Sequence, residues 1–300
     1  MKVIIPLAGF GRHMRPHTWS RPKPLLHVAG HTIIGHLLDR LAPVTTEEVI
    51  FVVDDKGTEI EGWIRHHYPH LDSHFLTQEK ALGQAHALWL CRSFLTEGEV
   101  LVVFGNAIVD ADYETINDTG ADAVYLVPEM EAPHEGSAGV FWVQNGRLLR
   151  NSLEASQQAN LTDRTLHQQL LHDKLSLEAK PCHYAFDTNS PEQLLHTNAR
   201  LLGIGFQSED LIERSYVEDF TAMPPAFLHE TAQVDAAVIG PYASIGPNVT
   251  IKNAIVRNSI IDEGAIIENC VLDGCLIGQR AQIRGQSLRL FIGDDSNFNS

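Results

Sequence analysis

Cysteine is scarce in this chain and carries no metal or redox pattern. The four cysteines, Cys91, Cys182, Cys270 and Cys275, include no CxxC pair, which argues against a zinc knuckle or a thioredoxin-type motif. Four reduced thiols are expected. Positive charge is also short: 22 Lys and Arg face 38 Asp and Glu, leaving a net charge of -16. Wrapping nucleic acid requires Lys and Arg to replace phosphate counterions, so no nucleic-acid partner is expected. A small phosphate site survives this argument, because it needs only a few backbone N–H groups and local cations. No apolar run approaches the roughly 20 residues of a membrane span, and no membrane association is expected. Met1-Lys2 leads straight into the apolar Val3 to Leu7 without an h-region or cleavage site. No secretory leader is therefore expected, and the location is expected to be cytoplasmic.

What is present is an alternation of strand-like and helix-like segments. The 300 residues, 44% of them hydrophobic, suffice for about two domains with real cores. Val3 to Leu7 reads as a buried strand ending in a glycine-rich turn. Ile33, Ile34, Leu37, Leu38 and Leu41 have helical spacing. Strands are predicted at 49–53, 75–76 and 100–104, with helices at 57–67 and 84–94 between them. This order implies a Rossmann-like, mainly parallel sheet with helices on both faces. Ligands of such sheets bind at the carboxyl ends of the strands. Two further strands are predicted at 123–128 and 139–144, a polar helix-prone stretch at 150–180, a strand at 184–187 and a helix at 191–202. A connecting helix over 208–220 is stopped by Pro224-Pro225, which sets the expected division into 1–222 and 223–300.

The second part is repetitive. Aliphatic residues recur at Val234, Ile239, Ile245, Ile251, Val256, Ile261, Ile267, Leu272, Ile277 and Ile283. Ile245, Ile261 and Ile277 share one spacing, as do Ile251, Ile267 and Ile283. Ile-Gly-Pro occurs at 239–241 and again at 245–247. Three short strands per coil, each with one inward aliphatic side chain, account for the pattern. The spacing resembles the hexapeptide repeats of the left-handed parallel β-helix. Many acyltransferases that resemble this scaffold use a coil or loop histidine as base; residues 230–300 contain none and His229 precedes the repeat, so acyl transfer is not expected.

The chemistry is concentrated in residues 7–30, LAGFGRHMRPHTWSRPKPLLHVAG. The turn Gly9-Phe10-Gly11 lets backbone N–H groups approach a ligand, as in loops that cradle phosphate. Two prolines bracket Lys23 in Arg21-Pro22-Lys23-Pro24-Leu25 and limit its backbone; an ammonium is a point charge suited to polyphosphate. The segment resembles the G-x-G-T-R-L-x-P and P-K-P-L signatures of the sugar-1-phosphate nucleotidyltransferases. Thr77-Gln78-Glu79 with Leu82-Gly83-Gln84-Ala85-His86-Ala87, then Phe104-Gly105-Asn106, then Phe186-Asp187-Thr188-Asn189-Ser190-Pro191-Glu192 resemble later family motifs in the family's order.

That resemblance implies joining of a nucleoside triphosphate to a sugar 1-phosphate with release of pyrophosphate. It assigns nucleotide contacts to Leu7, Ala8, Gly9, Gly11, Gln78, Gly83 and Gly105, and a sugar contact to Gly139. It assigns phosphate handling to Lys23, Arg15, Arg12 and His13. Mg²⁺ is the implied cofactor, held at the positions of Asp187 and Asn106. In an in-line displacement of this kind, positioning and neutralisation of charge dominate.

The sequence departs from the family at charged positions. Arg12-His13 replaces Thr-Arg, and a histidine at its ordinary pKa is largely neutral at pH 7. Asn106 replaces a carboxylate, with Asp110 and Asp112 nearby as doubtful substitutes. The family's Gly-Thr after the second Asp is here Asn189-Ser190. The family's sugar-phosphate Lys has no equivalent: after Asn145-Gly146-Arg147 the chain passes almost directly to Leu161-Thr162-Asp163, which resembles a later helix. Arg147 and Arg150 are the remaining cations there. Loss of one such electrostatic contact can cost about a hundredfold in rate. The expectation is a chain that binds a nucleotide or nucleotide sugar with weak or lost transferase activity, as a regulatory or scaffold homologue. The alternative is an active pyrophosphorylase. A homo-oligomer, or pairing with an active relative, is expected through the β-helix, whose open ends invite association.

Other features have plainer readings. Among the 16 histidines, His66, His67, His70 and His74 match no metal template and are expected in a solvated helix end and loop. Trp19 is a base-stacking candidate, though such an aromatic more often packs its loop down. Cys270 and Cys275 are expected inside the coils as small apolar residues.

Overall fold

The computed structural model describes residues 1–9, 11–80, 82–129, 138–158, 166, 170, 173–217, 219–285 and 291–299. Phe10 and Leu161-Thr162-Asp163 lie outside them. The chain forms two compact units, 1–10 with 34–186, and 11–33 with 187–300.

The first unit is built on a seven-stranded sheet. Its strand order is Leu177–Cys182, Ala123–Pro128, Val140–Val143, Val100–Val103, Lys2–Pro6, Glu48–Val53 and Ser73–Thr77. Lys2–Pro6 pairs in parallel with both Glu48–Val53 and Val100–Val103. Val140–Val143 runs antiparallel between its two neighbours, so the sheet is mainly parallel with one reversed strand. The central strands are continuous apolar runs because both faces are covered; Ile4, Ile50, Val52, Val100 and Val102 lie in one buried cluster. Helices Ile33–Leu41 and Gly57–His67 fall where the spacing predicts them. The third, Gly83–Leu90, is shorter than expected and ends in a 3-10 turn at Cys91–Ser93.

The stretch 150–180 is not uniformly helical. A helix spans Gly146–Gln158, and Leu177–Cys182 is the edge strand of the sheet. An edge position tolerates Pro181, which cannot donate to a ladder, and leaves polar side chains in solvent, hiding the strand from pattern reading. The strand Ala107–Asp110 was also not anticipated. It pairs with Tyr184–Asp187 in a separate two-stranded sheet.

In the second unit a parallel β-helix follows the helices Pro191–Gly203 and Leu211–Val217; the latter is shorter than the predicted connecting helix. Three stacked parallel sheets form it, with one strand per coil in each. The ten repeat residues from Val234 to Ile283 are all buried. Ile245 pairs with Ile261 and Ile261 with Ile277, while Ile251 pairs with Ile267 and Ile267 with Ile283. The interior is therefore a stack of like side chains. Asn248, Asn253, Asn258 and Asn269 take positive φ, a backbone state that asparagine tolerates better than branched residues. Cys270 and Cys275 are buried in the coils, and all four cysteines are buried thiols.

Candidate functional site

In the first unit the nucleotide-contact candidates lie at the carboxyl ends of the central strands. Leu7 follows the strand Lys2–Pro6, and its N–H donates to the Val52 carbonyl at 2.7 Å. Gly105 follows Val100–Val103 and donates to the Pro6 carbonyl at 3.3 Å. A Cβ on Gly105 would lie 2.5 Å from Leu7 Cδ2. The two strand ends touch because one of them is glycine. Among the described residues a Cβ on Gly9 would meet nothing within 4 Å, which leaves its backbone open to a ligand on that side. Asp54 accepts a hydrogen bond from the Gly9 backbone, tying the start of this turn to the neighbouring strand; burial nevertheless holds its carboxyl above the ordinary range.

Gln78 and Gly83, which the resemblance pairs in base recognition, are brought together. The buried Gln78 donates from Nε2 to the Gly83 carbonyl at 3.2 Å and meets His86 Nδ1 at 2.9 Å. An amide nitrogen only donates, so Nδ1 is assigned as the acceptor. The i, i+8 spacing from Gln78 to His86 had offered no signal for this contact.

Asn106 and Gly139 also meet. Gly139 has φ +80°, and a Cβ there would lie 3.3 Å from Asn106 Oδ1. The carbonyl of Gly139 accepts from the N–H of Phe104 at 2.8 Å. The alternative acids are committed elsewhere. Asp110 lies 3.7 Å from Arg40 Nε, and Asp112 lies 3.4 Å from His183 Nε2. Arg147 and Arg150 make exposed ion pairs with Glu97 and Glu154. His67 bonds the Trp63 carbonyl, and His74 lies in the strand Ser73–Thr77 beside Glu48, not in a loop.

The second unit holds the basic segment. Gly11 takes φ +51°, and its carbonyl accepts from Thr18 Oγ1 at 2.8 Å. This turn starts the 3-10 helix Arg12–Met14, whose Met14 is buried while Arg12, His13 and Arg15 face solvent. Trp19 is 67% exposed. Lys23 opens the 3-10 turn Lys23–Leu25, and its Nζ donates to Asn189 Oδ1 at 2.8 Å. Burial lowers the Lys23 pKa to about 8, against the opposing pull of Asp187. Asp187 is exposed, and its carbonyl accepts from Thr197 Oγ1 at 2.6 Å. Ser190 caps the helix Pro191–Gly203 by accepting from the Gln193 N–H. The Asp-Thr-Asn-Ser-Pro-Glu motif is thus a strand end, a lysine contact and a helix cap in succession.

For Mg²⁺ the donor chemistry fits in part. Asp187 offers an exposed hard oxygen, while Asn106 offers an amide without charge. Among the described residues no three His, Cys, Asp or Glu are grouped to hold an ion. Mg²⁺ does not require such a cage, because one or two carboxylates with substrate phosphates and water suffice.

Residues 2–126 match the nucleotidyl transferase family. A bifunctional protein GlmU of Methanococcus vannielii is 33% identical over 37% of this chain and 26% of its own. A mannose-1-phosphate guanylyltransferase catalytic subunit beta of Dictyostelium discoideum is 27% identical over 50% of this chain and 44% of its own. The chain thus spans about a quarter of the first relative's length and less than half of the second's. A Bacillus anthracis structure described as a glucose-1-phosphate thymidylyltransferase, at 19% identity, superposes with TM-score 0.54 over 67% of this chain and 94% of that one. That likeness is one of fold. The family match is confined to the N-terminal part of the chain. Among the described residues no helix is long and apolar enough to cross a membrane.

Proposed function

We propose that this chain binds a nucleotide or nucleotide sugar and has weak or lost transferase activity, serving as a regulatory or scaffold member of its family. Nucleotide binding is supported by the open Gly9 backbone, by Gly105 against Leu7 and by the Gln78–Gly83 contact. The observation that carries the weakened chemistry is Asn106. It sits beside Gly139 at the strand ends with a neutral amide where the family has a carboxylate, and Asp110 and Asp112 have partners of their own. Mg²⁺, when bound, would offset phosphate charge; Asp187 is the residue suited to hold it. The expected modules are 1–222 for nucleotide binding and 223–300 for the β-helix.

An active pyrophosphorylase is the second reading. Lys23, confined by two prolines and held by Asn189, favours it. The deciding experiment measures pyrophosphate release with Mg²⁺, pairing a panel of nucleoside triphosphates with sugar 1-phosphates. It is run on the parent chain and on Asn106→Asp. A silent parent that binds nucleotide, with turnover recovered in Asn106→Asp, supports the first reading; turnover by the parent supports the second. Absence of nucleotide binding sinks both.

Pairing with a second copy or an active relative through 223–300 is supported by an outward row on one β-helix face, Val238, Ile255 and Val271, aligned across neighbouring strands. Ile255 is 38% exposed. Sedimentation showing a monomer at micromolar concentration, unchanged on deleting that segment, would refute it.

A further inference from the structure

Lys23 lies between Arg21 and His27, and one β-helix carboxylate holds both. Arg21 Nη1 donates to Asp262 Oδ2 at 3.2 Å, and His27 Nδ1 donates to Asp262 Oδ1 at 2.8 Å. A carboxylate only accepts, so Nδ1 carries the proton, and the 3.4 Å approach of Arg21 to that nitrogen is packing. The Glu263 N–H adds a third donation to Oδ1 at 2.8 Å. Asp262 is 7% exposed. Burial pushes its carboxyl up; the His27 hydrogen bond, the His27 and Arg21 charges and the Glu263 N–H outweigh this and leave it below the ordinary range.

The repeat does not ask for an acid at this step. Asp262 follows Ile261, which stacks between Ile245 and Ile277. The residues following those two are Gly246 and Gly278. Glycine therefore serves the coil on both sides, and a buried carboxylate in the middle needs another explanation. Its own backbone is fixed by the coil, with its N–H donating to the Ile277 carbonyl at 2.9 Å. Beyond His27, the segment is tied down again. The Ala29 N–H donates to Asn198 Oδ1 at 2.9 Å, and Asn198 also bonds Ser244 Oγ at 2.7 Å and the Tyr242 carbonyl at 3.0 Å. Between the two residues that Asp262 grips lies only Pro22-Lys23-Pro24-Leu25-Leu26, closed by the Leu26 N–H on the Lys23 carbonyl at 3.0 Å. With so few free dihedrals, fixing its ends fixes Lys23.

We infer that Asp262 is a positioning residue: a β-helix carboxylate that sets the place of Lys23 by clamping Arg21 and His27. This rests on the reading of Lys23 as a phosphate-handling group. The β-helix then contributes to ligand binding through the loop it holds, beyond any part in assembly.

The test uses the full chain with Asp262→Gly, which installs the neighbouring coils' own residue, and Asp262→Glu as the conservative rescue. Arg21→Gln with His27→Gln removes the same clamp from the loop side, and Asp273→Asn, at an exposed ion pair with Arg257, is the control. Nucleoside triphosphate binding with Mg²⁺ is measured by calorimetry, and amide exchange is followed over residues 21–28. Clamp removal from either side should raise exchange there and weaken binding about tenfold, the scale of one lost charged hydrogen bond. Asp262→Glu should restore part of the affinity, and Asp273→Asn should change nothing. The loss should vanish in a Lys23→Met background, because both changes act through one group. Unchanged binding and exchange in both clamp variants, or an equal loss without Lys23, overturns the inference. If the parent binds no nucleoside triphosphate, the reading of Lys23 fails by itself. Exchange then decides whether Asp262 holds the segment: a rise supports the clamp and no change removes it.

Discussion

Lys23 Nζ donates to Asn189 Oδ1 at 2.8 Å, joining the two proline-flanked motifs of the second unit, Arg21-Pro22-Lys23-Pro24 and Asn189-Ser190-Pro191. The contact satisfies one of three ammonium protons with a neutral oxygen and leaves the charge available to an anion.

The first prediction concerns that charge. Burial lowers the Lys23 pKa from 10.5 to about 8. Nucleotide affinity that depends on the ammonium should fall as pH rises through about 8, and Lys23→Met should flatten the profile. The stability effect has the opposite direction. Between about 8 and 10.5 the unfolded chain holds a proton that the native chain has released, so this group's contribution to stability rises with pH across that window. Calorimetric titrations from pH 7 to 9.5 would check the affinity. Parallel profiles for parent and variant would dismiss the charge as a contributor.

His17 supplies an acid-sensitive element. It is buried, and its Nε2 has no hydrogen-bond partner among the described residues. Burial lowers its pKa to about 4, with Asp262 pulling the other way. Its native pKa lies below the unfolded value of 6.5, so stability should be lost as pH falls from about 6.5 toward 4. His17→Leu should lessen the slope of the urea midpoint over that range. An unchanged slope would mean that His17 titrates as freely in the native chain as in the unfolded one.

Gln78→Leu should weaken nucleotide binding and stability together. The variant leaves the exposed Gly83 carbonyl and the half-buried His86 Nδ1 without their common donor, a loss of about 0.5–1.5 kcal/mol because water can replace it in part. Thermal unfolding and nucleotide titration would be compared with the parent. Full affinity in the variant would remove Gln78 from the binding role.

Within the β-helix, Ile261→Ala should destabilise by about 2–5 kcal/mol, because a stacked interior side chain leaves a cavity between Ile245 and Ile277. Ile255→Ala, on the outward row, should cost no more than about 0.5 kcal/mol. Urea unfolding of the full chain would separate them. Equal effects would contradict the inward and outward assignment.

Much of this architecture was determined by the sequence itself. Apolar runs at Val3 to Ile5 and Val49 to Val53 can only be strands covered on both faces, and the spacing of Ile245, Ile261 and Ile277 demands a coil with like side chains stacked inside. Gly9, Lys23 and Asp187 were legible as candidates because they stand in ordered motifs, and Asn106 because it interrupts one. Other relationships had no local signature. Leu177–Cys182 lacks apolar periodicity because an edge strand leaves polar side chains in solvent. The pairing of Ala107–Asp110 with Tyr184–Asp187 depends on where the chain returns. Asp262 lies more than two hundred residues from Arg21, and nothing in either neighbourhood announces the other. Burial periodicity is local and repeats along the chain, so sequence carries it. A hydrogen bond between distant side chains is a single event in space, and only the tertiary structure decides it.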